Sequence, residues 1–340
     1  MSNQSAIARA LGLNQATVSR ALRNAPGIAA KTHRAVLEAA QKMGYTPNPM
    51  VVSLMNRIRD GRRVSDHGCI AILCAVTPPG PSANDTFGRQ FLGMIRGAEA
   101  RGFRPGFFSL DDYGMNLGKI DRVLKARGIT GLILAPSGSP RGPVPLDWSR
   151  YACATLGTGW PDVPVDRSGI NHRHQMDAAM GELLRRGYRR IGFCLPRNAV
   201  DGIDGAWMDR YLYWQYKVKN TQPFPLFVGT PATTPAADFR HWLRKWKPDA
   251  ILGLIGHELE WLDALGLRAP DDIGLACLNH QTGSPVSGMD EQHEAVGKIA
   301  AETVINRILH NEFGLPEHPR LILIDGIWCE GKTLRCSSAA

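Results

Sequence analysis

The 340-residue sequence has no apolar run long enough for a bilayer span, and its start, MSNQSAIARALG, lacks the basic leader, apolar stretch and small-residue cleavage site of a secretory signal. A cytoplasmic chain with no membrane partner is the expectation. Paired cysteines are missing as well. The seven thiols (Cys69, Cys74, Cys153, Cys194, Cys277, Cys329, Cys336) are scattered without a CxxC pair, which argues against a zinc site or disulfide frame and predicts reduced, mostly buried groups. No GxGxxG or GxxxxGKS loop is there to cradle a nucleotide, and no GxSxG elbow, HExxH or paired-carboxylate motif to suggest hydrolysis. Neither an enzyme nor a resident cofactor or metal is expected. His172-x-His174 lacks a third ligand at a matching spacing and reads as a solvated helix start.

Negative charge is scarce at one end only. Residues 1–63 hold two acidic groups, Glu38 and Asp60, against ten basic ones, whereas the other 277 residues carry 30 basic and 29 acidic groups. One small end is therefore suited to a polyanion, and the rest is a nearly neutral body.

Within the basic end, Ile7, Ala8 and Leu11 fall at helical spacing, as do Val18, Ala21 and Leu22, with Gly12-Leu13-Asn14 between them. This predicts helix, tight turn, helix, the second capped by Asn14. A third helix is expected over about residues 30–42, with Val36, Leu37, Ala40 and Met43 on one face. In such a unit the second helix can enter the major groove. Gln15 would then pair with adenine, Ala16 pack on a thymine methyl and Arg20 pair with guanine, while Asn14, Thr17, Ser19 and the following Arg23 suit the phosphates. On spacing alone, a small packing module with solvated Gln and Arg competes with that reading.

The run IARALGLNQATVSRALRNAPGIAAKTHRAVLEAAQKMGYTPNPMVVSLMNR resembles the headpiece of the lactose repressor (LacI/GalR) family of bacterial transcription regulators. Ala8, Gly12, Thr17-Val18-Ser19-Arg20, Lys31-Thr32, Gly44-Tyr45 and Pro47-Asn48 carry the resemblance. Ala29 departs from it, standing where many members have a Ser that caps the third helix. The segment from Pro47 to Asn56 reads as a helix too short to hold itself together in water. The resemblance implies that it forms beside its twin from a second subunit, in the minor groove, with Leu54 wedged between base steps. Asn48 and Val51 lie in the same hinge, Val51 where relatives often have Ala.

Beyond residue 67, apolar strand-like runs such as Cys69–Val76, Gly131–Ala135, Arg190–Leu195, Ala250–Leu254 and Ile273–Leu278 alternate with helical segments. This predicts open parallel sheets with helices on both faces, arranged as two lobes. The expected organisation is an all-α headpiece over 1–46, a hinge and linker over 47–66, and an α/β two-lobed core over 67–340 that resembles the periplasmic-binding-protein type and serves effector binding and dimerisation. By that resemblance a small molecule such as a carbohydrate sits between the lobes. Arg210 aligns with a ligand-gripping Arg, with a surface ion pair as the alternative. Asn279 replaces a common Asp, and Asn171-His172 a frequent Asp-Asn pair, so an altered pocket or a degenerate, effector-independent core is implied. Trp160 and Trp214 are the aromatic pocket candidates, whereas Trp242, Leu243 and Trp246, at helical spacing, read as core. The resemblance implies a homodimer acting on a pseudo-palindromic operator in double-stranded DNA, as a repressor.

Overall fold

The computed structural model describes residues 4–22, 28–43, 45, 68–74, 86–136, 144–197, 205–218 and 224–336. The chain divides into two compact units, residues 1–64 with 309–311, and residues 65–308 with 312–340.

In the first unit, α1 (Gln4–Leu11), α2 (Gln15–Leu22) and α3 (Ala30–Lys42) enclose one apolar cluster of Ile7, Ala8, Val18, Ala21, Val36 and Ala40. The turn between α1 and α2 depends on Gly12, whose φ of 62° lies in the left-handed region. The Gly12 amide donates to Arg9 O and the Leu13 amide to Ala8 O, the paired bonds that close a helix C-terminus. Asn14 then starts α2 as expected, its Oδ1 accepting from the Thr17 amide at 2.7 Å. Ala29 precedes α3 with no side-chain cap, the consequence of the missing Ser. Gln4 Nε2 donates to the Tyr45 hydroxyl, tying the first helix to the end of the bundle.

The second unit holds two six-stranded sheets. The first comprises β1 (Cys69–Cys74), β2 (Arg104–Ser109), β3 (Gly131–Leu134), β4 (Ala152–Leu156), β5 (Asp166–Ile170) and β11 (Leu321–Ile324), in the order β11-β5-β4-β3-β1-β2 and parallel throughout. The second comprises β6 (Ile191–Leu195), β7 (Leu226–Val228), β8 (Ala250–Gly253), β9 (Gly274–Cys277), β10 (Ser287–Asp290) and β12 (Ile327–Cys329), in the order β12-β10-β9-β8-β6-β7. The expectation of parallel sheets fails at one edge, where β12 runs antiparallel to β10.

Helices α4 (Thr86–Glu99), α5 (Leu117–Ala126) and α10 (His293–His310) belong to the first lobe. The second has α6 (His172–Arg185), α7 (Ala206–Lys217), α8 (Ala236–Trp246) and α9 (Glu258–Ala264). α4 and α10 meet backbone to backbone, since a Cβ on Gly93 would lie 2.0 Å from Glu294 O and one on Gly297 2.0 Å from Gln90 O. Trp242 stacks on Phe239 in the second lobe's core, with Leu243 and Trp246 packed beside it, as their spacing predicts. The chain passes between lobes three times: at Asn171, at Glu291-Gln292, and at Asp325-Gly326. All seven cysteines are free and four are buried.

Candidate nucleic-acid face and interlobe site

Val18 and Ala21 pin α2 to the headpiece core and leave Gln15, Ala16 and Arg20 exposed, with Thr17 and Ser19 half-buried. Because 16 and 20 are one turn apart, Ala16 and Arg20 share a side, and Gln15 borders them. Gln15 Oε1 accepts from the Ser5 hydroxyl at 3.2 Å, which orients its amide from α1. Asn14 spends its side chain on the cap. Arg23, Asn48, Val51 and Leu54 lie outside the described residues.

The second site is a polar junction of the two lobes. His293, first residue of α10, is fully buried, and its Nε2 stands 3.0 Å from Glu291 Oε2, 3.2 Å from Thr86 Oγ1 and 3.2 Å from Asn279 Oδ1. Asn279 Nδ2 in turn donates to Thr86 Oγ1, so α4 of the first lobe and the end of β9 in the second share one imidazole. Arg89 grips both oxygens of Asp290 at 2.9 and 3.2 Å, and Asn171 Nδ2 donates to Asp325 Oδ1 at 2.7 Å. His172 Nδ1 lies 3.7 Å from Glu291 Oε1, and its ring meets Trp207 edge-on at 5.0 Å. Burial holds the His172 pKa below the usual imidazole value, so this ring is neutral at pH 7.

Around this junction Gln90 Oε1, Gln175 Nε2, Trp207 Nε1, Glu291 Oε1 and His293 Nδ1 are buried and have no hydrogen-bond partner among the described residues. An unmade bond of this kind costs about 1–3 kcal/mol, so a concentration of them marks a place that polar atoms from elsewhere, water or ligand, can satisfy. The sheets' strand order reverses at β1/β3 and at β6/β8, the position where open α/β sheets take ligands. Residues 75–85, 137–143 and 198–204, which follow β1, β3 and β6, lie outside the described residues.

Of the expected effector residues, only Asn279 lies in this junction. Trp160 is fully buried in the first lobe's core, its Nε1 donating to Ala135 O at 2.8 Å, and packs with Leu132, Leu134 and Tyr151. Trp214 is likewise core, against Met176, Met180 and Phe193, with Nε1 on Asp177 Oδ1 at 2.9 Å. Both therefore serve packing in place of the expected pocket wall. Arg210 is claimed by Asp177 through a two-pronged pair at 2.6 and 2.5 Å and lies 3.7 Å over the Tyr213 ring, which is the ion-pair alternative. Burial would raise the Asp177 carboxyl, but the bonds from Arg210 and Trp214 hold it below the usual carboxylate range. His172 starts a helix as expected yet is half-buried against Trp207 and Glu291 where a solvated side chain was expected. Thr86, Trp207, Glu291 and His293 had no sequence signal as site residues, because only the fold brings these four segments together. Among the described residues no group of three or more His, Cys, Asp or Glu could hold a metal ion, and no helix is long and apolar enough to cross a membrane.

Residues 5–48 match the family model described as "Bacterial regulatory proteins, lacI family", and residues 180–331 match a periplasmic binding protein-like domain. The chain carries a lacI-family DNA-binding domain followed by a periplasmic-binding-protein-like domain. Its relatives include the sucrose operon repressor of Escherichia coli, 25% identical over 325 residues that span 88% of this chain and 92% of that one. The transcriptional regulator CelR of Thermobifida fusca is 21% identical over 89% of this chain and 90% of its own. Among solved structures, a CelR–cellobiose complex superimposes with a TM-score of 0.57 at 18% identity, covering 98% of this chain and all of that one. A lac repressor dimer bound to operator and the anti-inducer ONPF gives 0.57 at 14% identity, with 98% of each chain covered. The fold is that of a lacI-family regulator: a helix-turn-helix headpiece and an α/β core whose sheets are parallel except at the β12 edge.

Proposed function

We propose that this chain is a homodimeric, sequence-specific transcription repressor whose hold on a pseudo-palindromic operator is set by a small hydroxylated effector at the lobe junction. Residues 1–46 form the DNA-binding domain, 47–66 the hinge that carries Asn48, Val51 and Leu54, and 67–340 the effector and dimerisation core. The protein works in the cytoplasm, on DNA, and catalyses no reaction. The observation that carries the reading is the exposed side of α2, with Gln15, Ala16 and Arg20 at the groove-facing end of a helix held by its own cap and core. Asn14, Thr17, Ser19 and Arg23 position it on phosphates.

The sugar names attached to relatives support a polyhydroxylated effector, and the unpartnered polar atoms near His293 support its place. Arg210 is committed to Asp177 and Arg89 to Asp290, so neither guanidinium is free to grip a carboxylated effector. Asn279, His172, Trp207, Glu291 and His293 become the ligand groups, in place of Trp160, Trp214 and Arg210. A second reading, an effector-independent core, draws support from Thr86, Asn279 and His293 already bonding across the lobes. Thermal-shift screening with neutral sugars, followed by gel shifts on selected operators, separates the two. An effector that raises the melting temperature and alters operator affinity supports gating. Regulation-free binding with no hit supports the second reading.

A further inference from the structure

A row of alternating glycines and cysteines crosses the second sheet. Gly253 on β8 is opposite Cys277 on β9, Cys277 opposite Gly288 on β10, and Gly288 opposite Cys329 on β12. On the other side of β8, Cys194 is one step beyond the Phe193–Leu252 pair, which puts it beside Gly253. The gap that Gly253 leaves between the two thiols is filled by an acid, for a Cβ at Gly253 would run into the Glu258 carboxyl. Glu258 opens α9 and is buried, and its Oε2 has no hydrogen-bond partner among the described residues.

Among the described residues no cation answers this carboxyl. The titratable groups facing it are Cys194 from β6 and Cys277 from β9, neutral thiols that burial pushes far above the usual range. β7 and α8 bring Phe227, Phe239 and Trp242 to the same core. On its own segment His257, Glu260 and Asp263 are exposed, the first two paired at 3.4 Å. A lone carboxylate in such a place is costly, so the group is kept as the acid. Desolvation accordingly pushes its pKa up to about 7.

The turn that follows Gly253 leads to the lobe junction. Residues 254–257 join β8 to α9, and the Leu254 carbonyl accepts from the Asn279 amide at 2.7 Å. The Gly253 carbonyl accepts from the Leu278 amide at 3.0 Å. Asn279 is the residue whose side chain meets both Thr86 and His293.

We infer that Glu258 is a proton-operated pin: as the acid it seats the β8–α9 turn on Gly253, and as the carboxylate it releases that turn, loosens Asn279 and makes operator control responsive to pH. The effect on DNA rests on the proposed gating at the junction, whereas the pin itself does not. Ionisation favours any opening that lets water reach the carboxylate. The pinned state is therefore complete at acid pH, weakens as pH rises, and is weakest above about 7.

Amide exchange on the full chain, expressed as protection factors, reads the pin directly. Between pH 6 and pH 8 the amides of residues 254–262 and of Asn279 should lose about tenfold in protection, as expected of a carboxyl that titrates near 7 when pinned and near 4.5 when open. Those of β1 and β3 in the first lobe should hold steady. Glu258→Gln, which carries no ionisable proton, should abolish the loss, and Glu258→Met serves if the Gln variant does not fold. Operator affinity, followed by gel shift over the same range, should change more in the wild type than in the variant. Flat protection in the wild type, or an equal loss in the variant, overturns the pin. A pin that opens while both proteins bind operator with the same pH dependence overturns the link to regulation. A wild-type chain that holds no operator at all refutes the proposed function instead, and the exchange result still decides the pin.

Discussion

The headpiece and the two-lobed unit bear their chemistry in opposite ways. In the headpiece a handful of apolar side chains fill the interior, and the described groups proposed to meet bases, Gln15, Ala16 and Arg20, lie exposed on α2. In the larger unit the chemistry is inside: His293, Glu291, Asp166 and Glu258 are all at least nine-tenths buried. A surface group is held by the helix beneath it and can be read from the local pattern. A buried polar group depends on partners that are far away in sequence, and its removal is felt as lost stability.

The sharpest way to break this contrast is at Asp166. The carboxylate is fully buried between Arg320 at 2.6 Å and Arg307 at 3.7 Å, the latter itself buried. Asp166→Ala leaves a buried guanidinium without its anion and should cost about 3–5 kcal/mol. All eight tryptophans lie at position 148 or beyond, so urea unfolding followed by tryptophan fluorescence reports this unit alone. An unchanged midpoint would mean that the network is ornamental.

Glu258 gives the next largest effect. Its carboxyl is buried under β8 beside Cys194, and desolvation pushes its pKa up to about 7. The folded chain therefore holds this proton more tightly than the unfolded chain, whose Glu titrates near 4.5. Stability contributed by the protonated group is complete below the unfolded value, falls as pH rises, and is lost above about 7. Glu258→Gln should flatten that slope and stabilise the unit by about 3 kcal/mol at pH 8. Parallel melting curves for variant and wild type between pH 5 and pH 8 would contradict it.

The smallest effect belongs to the headpiece. Asn14→Ala removes the bond to the Thr17 amide and should cost about 1 kcal/mol of headpiece stability. Operator affinity falls modestly, while the tryptophan-detected transition stays where it was. Movement of that transition would show that the two units do not divide the chemistry as described.

Legibility in the sequence followed the same division. α1 to α3 and the Asn14 cap show directly in local spacing, and so do strands such as β1, β6 and β8, whose apolar runs are buried on both faces. β5 is invisible at that level because Asp-Arg-Ser-Gly-Ile looks like a loop until Arg320 satisfies Asp166 and the Arg167 guanidinium is spread over the carbonyls of Gly159, Trp160 and Val163. The tryptophans misled for a related reason. Composition shows six of them between Trp160 and Trp261, but whether an indole packs or lines a site depends on where the fold seats its ring. Trp160 and Trp214 sit in the lobe cores with their N–H groups bonded, whereas the Trp207 ring lies against His172 with its N–H unpartnered among the described residues. The junction residues come from four separate segments and share no motif, so only topology assembles them.

The central claim is that the exposed end of α2 reads DNA sequence, and selection of bound duplexes from a random pool by wild-type chain and Arg20→Ala tests it most directly. Wild type should enrich one pseudo-palindrome, with affinity that drops steeply as salt rises. The variant should lose preference at one symmetric base pair, by roughly 1–3 kcal/mol, while its salt dependence changes little. If both proteins enrich the same sequences equally, or neither enriches any, α2 is not the reader.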